Sequence, residues 1–217
     1  MFKESLREVL PPIVYKARDR LRARSARAHH AGEELFDGND RLFKQLAVDA
    51  NIYAEYGCGA STIWMANHTG CSIYGTDSSE VWLDKVRTSV VDPGRVTLHF
   101  ADVGRVGDWG RPVGYDKAEN FSDYTDWVWK QGITPDLVLV DGRFRVCCFL
   151  TSLKNAGEGV HIVFDDYTDR THYHFVERFL KPIDTCGRQA VFLVPAKETV
   201  DTAELQRAID QFRFVMD

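Results

Sequence analysis

The sequence predicts an α/β domain, a mostly parallel sheet with helices on both faces. Two observations carry this. From residue 51 onward, short apolar runs alternate with stretches of helical periodicity. One run, DLVLVDG at 136–142, is apolar without alternation, the mark of a strand covered on both sides. Such alternation implies right-handed crossovers between parallel strands. In order, IYAEYG (52–57) reads as a strand ending in glycine, and 61–68 as a helix. CSIYGTD (71–77) is the second strand. Ser78 or Ser79 can cap a helix running to about Val90, with Trp82, Leu83 and Val86 on one face. The Asp-Pro-Gly turn at 92–94 stops it. RVTLHFAD (95–102) is the third strand and DLVLVDG the fourth. Residues 144–155 make a helix ending near Gly157, and GVHIVFDDY (159–167) a fifth strand. Residues 172–180 form a helix stopped by Pro182, GRQAVFLVP (187–195) is a late strand, and 201–213 close the chain as a helix.

A length of 217 residues suits one domain with a short arm, here 1–40 as a basic helical arm and 41–217 as the domain. The 44% hydrophobic and 27% charged composition argues against disorder, collagen and coiled coil. No run of about 18 apolar residues predicts a membrane span, and MFKESLREVLPP lacks a signal-peptide core. The cysteines Cys58, Cys71, Cys147, Cys148 and Cys186 fit neither a disulfide framework nor a zinc spacing. A reduced, cytoplasmic compartment is expected. The first thirty residues hold eight lysines and arginines against three acids, net +5, which leaves −10 for the remainder. The acidic body argues against a broad nucleic-acid footprint. In the arm, Leu10, Ile13, Val14, Ala17 and Leu21 recur at near-helical spacing among basic residues. Such a helix would dock on its own domain or lie peripherally on an anionic membrane surface.

Ligands of parallel α/β sheets bind beyond the carboxyl ends of the strands. Those ends carry Gly57, Asp77, Asp102, Asp141 and the pair Asp165–Asp166. One terminal aspartate is commonly a helix cap, but a row along one edge points to a site. In Glu55-Tyr56-Gly57-Cys58-Gly59-Ala60-Ser61-Thr62 the glycines let the backbone turn sharply beside a ligand. The following helix offers free N–H groups. Asp77 lies where a carboxylate accepts from ribose hydroxyls, and Asp102 where one meets an adenine amino group. A dinucleotide fingerprint would want a third glycine where Thr62 stands.

EYGCGAS, YGTDSS, FADV and VLVDG, in that order and spacing, resemble the successive motifs of class I S-adenosylmethionine-dependent methyltransferases over about 45–195. The resemblance implies a Rossmann-like three-layer sandwich with a seven-stranded sheet and an antiparallel last strand, supplied by a hairpin at 183–195. It implies S-adenosylmethionine as cofactor. Glu55, Gly57, Cys58 and Gly59, with Ser61 and Thr62 at the start of the helix, would cradle its methionine part. Asp77 and Ser78 would hold the ribose, and Asp102 with Val103 would border the adenine. Asp141 would serve cofactor and catalysis together.

Methyl transfer to a hydroxyl needs the acceptor aligned and its proton removed, by a base or by a metal on the oxygen. Asp141, Asp165 and Asp166 would converge on one Mg2+ in the manner of metal-dependent, macrocin-type sugar O-methyltransferases. Those enzymes tend to carry a second acid where this chain has Arg143. An arginine there would offset the carboxylates or clamp an anionic acceptor. His172, nearest the loop, is the candidate base, against the plainer reading of a surface histidine. The expected activity is O-methylation of a small molecule or bacterial glycan. The Asn/Asp-Pro-Pro-aromatic motif of base-methylating enzymes is absent after strand four. A methyltransferase-like binding protein without turnover and, through the glycine turn, an NAD(P)-dependent oxidoreductase are the alternatives. The insertion 104–134 carries Trp109, Tyr115, Phe121, Tyr124, Trp127 and Trp129. It reads either as a lid or as a short helix at about 121–131 covering the sheet.

Overall fold

The computed structural model describes residues 35–217. The first 34 residues, which hold most of the basic arm and with it the membrane-surface reading, lie outside the described residues. Seven strands form one sheet: β1 (Ile52–Tyr56), β2 (Ser72–Asp77), β3 (Val96–Phe100), β4 (Leu137–Val140), β5 (His161–Phe164), β6 (Asp184–Cys186) and β7 (Gln189–Leu193). Their order is β3-β2-β1-β4-β5-β7-β6. The first five run parallel, and β7 alone is antiparallel to both of its neighbours. The expected hairpin is therefore present at the sheet edge. Among the described residues six α-helices pack around the sheet: α1 (Arg41–Ala47), α2 (Ala60–His68), α3 (Glu80–Ser89), α4 (Phe121–Asp126), α5 (Arg145–Asn155) and α6 (Thr202–Phe212).

Successive strand residues point to opposite faces, so each strand feeds two cores. Tyr53, Leu137, Leu139 and Val163 join Phe43, Trp64 and Met65 on one side. Tyr56, Val138, Val140, Ile162 and Phe164 join α4, α5 and α6 on the other. All four residues of β4 are buried, as its unbroken apolar run requires. α5 is buried from Arg145 to Leu153, and the Asp217 carboxylate accepts the Arg145 N–H at its first turn, 2.9 Å. Both Cys147 and Cys148 are fully buried there as small apolar side chains, and all five cysteines are free. α6 is amphipathic, with Leu205, Ala208 and Ile209 inward and Asp201 capping through Ala203 and Glu204 N–H.

One expectation is corrected and two are refined. The helix expected at 172–180 forms over Thr171–Arg178 as a 3-10 helix, with Tyr173 and Val176 buried. Trp82 does not share the buried face of Leu83 and Val86; it is half-buried and stacks on Trp109, ring centroids 6.0 Å apart. The insertion 104–134 divides between its two readings. Phe121, Tyr124 and Val128 are buried against the sheet, whereas Trp109 stands 74% exposed at its outer end. No helix among the described residues is long and apolar enough to cross a membrane.

Candidate functional site

The turns after β1 and β4 press together and form the floor of a cavity. Gly57 has φ +89°, a left-handed conformation that favours glycine. A Cβ there would lie 2.5 Å from the Gly142 Cα. A Cβ on Gly142 would run into the Tyr124 hydroxyl and come within 2.7 Å of the Gly57 nitrogen. Both positions admit only hydrogen, so the two chain turns meet backbone to backbone. The cavity above them has a volume of about 280 Å³. Gly57, Cys58, Gly59, Ser61, Asp77, Ser78, Asp141 and Arg143 are among the residues that line it.

Asp77 is held by the backbone. Its Oδ2 accepts the Cys58 N–H at 2.8 Å and its Oδ1 the Ser79 N–H at 2.7 Å. Burial pushes its carboxyl up to about 6, against the pull of those two N–H groups and of Arg143. Ser78 donates to the Gly110 carbonyl, 2.6 Å, which ties the outer loop of the insertion to the end of β2.

Several predicted residues stand elsewhere. Glu55 is fully buried behind the glycine turn and does not line the cavity. It accepts from the Ser61 hydroxyl and, at 2.6 Å, from the Thr62 hydroxyl, which itself accepts the Gly59 N–H at 2.8 Å. Glu55 and Thr62 therefore brace the turn from within. Burial raises the Glu55 carboxyl to about 7, with the two hydroxyls pulling it back. Asp102 points away to Lys117 and the Gly104 N–H, and Val103 is buried in the core; neither lines the cavity. His172 is exposed and rests against the Tyr173 ring, off the cavity, as the plainer reading had it.

The three strand-end carboxylates do converge: ligand atoms of Asp141, Asp165 and Asp166 lie within 4.8 Å of one another. Three guanidiniums stand among them. Arg145 reaches Asp141 at 3.2 Å and Asp166 at 3.3 Å, Arg170 reaches Asp166 at 2.8 Å, and Arg188 reaches Asp165 at 2.8 Å. Asp166 holds φ +57°, a strained backbone that this network fixes in place. The charge-offsetting arginines are thus Arg145, Arg170 and Arg188, and Arg143 is not one of them. A divalent cation wants several free carboxylate oxygens. Here both oxygens of Asp165 and of Asp166 and one of Asp141 already face guanidiniums, so the donor set does not fit a metal. Burial, then the neighbouring Asp165, raises the Asp141 carboxyl well above its ordinary range, with Arg145 acting against this.

Other lining residues escape sequence reasoning. Leu35 and Phe36 come from ahead of α1, Trp82 and Lys85 from α3, Trp109 and Tyr124 from the insertion, and Arg188 from the β6–β7 turn. The aromatic content of 104–134 was the one available signal, for Trp109 and Tyr124.

Comparison with solved structures finds this architecture in a methyltransferase-like protein from Silicibacter pomeroyi DSS-3. It is 29% identical, with 94% of this chain and 96% of that one covered at a TM-score of 0.68. The N-methyltransferase NodS from Bradyrhizobium japonicum WM9, in complex with S-adenosyl-L-homocysteine, is 14% identical over 80% of this chain and 98% of that one, TM-score 0.50. A putative O-methyltransferase from Klebsiella pneumoniae is 16% identical over 88% and 94%, TM-score 0.50. The latter two show the fold alone. No family model and no curated protein matches the sequence. With its strand order, its antiparallel β7 and its glycine turn opposite Asp77, the chain has the class I S-adenosylmethionine-dependent methyltransferase-like fold.

Proposed function

We propose that this protein transfers a methyl group from S-adenosylmethionine to a hydroxyl of a small molecule or glycan. The observation that carries the reading is the meeting of the Gly57–Gly59 turn, the backbone-held Asp77 and Asp141 on one cavity. The cofactor, when bound, supplies an electrophilic methyl on a sulfonium sulfur. The remaining tasks fall to the chain. Asp77 accepts ribose hydroxyls through the lone pairs its two backbone donors leave free. Gly57 and Gly59 bring the β1 turn close to the ligand. Asp141, a quarter exposed toward the cavity and raised in basicity, takes the acceptor proton. Arg145 then stabilises the arrangement by holding Asp141 in place, 3.2 Å away. Trp82 and Trp109 offer aromatic faces to a sugar or apolar acceptor at the mouth. No metal takes part at the carboxylate cluster in this reading, because the arginines occupy it.

Calorimetric titration with S-adenosylmethionine tests the cofactor assignment. Micromolar binding is expected, and a folded protein that does not bind overturns it. Turnover against a panel of hydroxyl compounds then separates enzyme from binding module. Asp141→Asn is expected to bind cofactor normally and to lose at least about 100-fold in kcat, the size of a general-base contribution. Equal turnover in that variant removes Asp141 from the chemistry.

A further inference from the structure

The arginines around the strand ends fall into two groups. Arg145, Arg170 and Arg188 each end on carboxylates. Arg143 does not. Among the described residues its guanidinium makes no ion pair, and its Nε is buried without a hydrogen-bond partner. The backbone on which it stands is pinned from both sides. Its N–H donates to the Tyr124 hydroxyl at 3.0 Å, and its carbonyl accepts from the Cys148 thiol at 3.3 Å. The side chain thus leaves a fixed point and forms part of the cavity wall. Of the two strand-end acids that share the cavity with it, Asp141 is already engaged by Arg145, and Asp77, whose carboxyl Arg143 draws downward, is held by two backbone N–H groups. A permanently charged, half-buried fork with one donor sealed from water is incomplete without an anion. Its planar geometry matches a carboxylate through two parallel hydrogen bonds.

The strand order says which carboxylate. Asp77 ends β2, the glycine turn follows β1, and Arg143 follows β4, three neighbours in the sheet. This step rests on the cofactor reading above. A ligand with its ribose at Asp77 lays its amino-acid end across the Gly57–Gly59 turn toward β4. We propose that Arg143 is the anchor for the carboxylate of the cofactor's amino-acid end, and so selects ligands that carry it.

Two ligands separate this from other roles. S-adenosylhomocysteine carries the carboxylate; 5′-methylthioadenosine shares the nucleoside and thioether but lacks the amino-acid part. Both are titrated calorimetrically into the full-length wild type, Arg143→Met and Arg143→Lys, with thermal melts to confirm folding. Arg143→Met is expected to weaken S-adenosylhomocysteine by about 10- to 100-fold and to leave methylthioadenosine within about twofold. Arg143→Lys, which keeps the charge and loses the fork, falls between, and carries the comparison alone if the methionine variant does not fold. Equal losses for both ligands, or no loss for S-adenosylhomocysteine, overturn the proposal while the cofactor reading stands. A wild type that binds neither ligand overturns both.

Discussion

Asp77 and Glu55 show how two carboxylates on neighbouring strands serve different ends at the same glycine turn. Asp77 faces the cavity, held by the Cys58 and Ser79 N–H groups. Its replacement by asparagine exchanges an acceptor for a donor beside those groups and removes the charge. S-adenosylhomocysteine affinity is expected to fall about 10- to 100-fold, read by calorimetry. Glu55 is sealed behind the turn, and its carboxyl rises from 4.5 to about 7. A folded-state value above the unfolded one means that stability is fullest at low pH. It is given up as pH climbs from about 4.5 to about 7, by about 3 kcal/mol. Denaturant unfolding at pH 5 and pH 8 should therefore show Glu55→Gln gaining on the wild type as pH rises. A constant difference between the two proteins would show that Glu55 does not change protonation in that window. Sequence spacing located both acids, because each lies in a local strand–turn–helix unit. Facing direction was not legible for Glu55, since Ser61 and Thr62 decide it through side-chain hydrogen bonds.

At the level of elements, the floor of the site is a contact between two turns. The Gly57 and Gly142 backbones meet where a side chain on either would collide. Gly142→Ala is expected to cost about 1–3 kcal/mol in denaturant unfolding and to weaken cofactor binding by deforming that floor. The parallel strands, α5 and α6 were legible because their periodicity is strong and unbroken. The 3-10 geometry at 171–178 was not, since the pattern of a short amphipathic stretch fits either helix type. Asp102 was misplaced for a different reason. Its partner Lys117 lies fifteen residues on, in an insertion whose path no local rule sets. Arg188 and Phe36 reach the cavity only through the closing hairpin and the segment before α1, brought together where Arg188 meets Asp37 at 2.6 Å.

On the scale of the molecule, the sheet gathers three carboxylates and three guanidiniums at the ends of β4 and β5. Arg145 joins both strands to α5 and is only 3% exposed, so removing it strands buried acids. Arg145→Met is expected to destabilise the fold by about 3–5 kcal/mol in denaturant unfolding. Because guanidiniums fill the cluster, EDTA or added Mg2+ should leave the wild-type melting temperature unchanged. A rise of several degrees with Mg2+ would reverse that conclusion. Of the five tryptophans, Trp64 is buried in one core, Trp127 and Trp129 pack against the core on the other face of the sheet, and only the stacked pair Trp82 and Trp109 lines the cavity. Acrylamide should therefore quench chiefly their emission, and a ligand entering beneath them should shield it. The protein carries its own fluorescent gauge of occupancy, and an unlabelled acceptor library can be screened by following that signal alone.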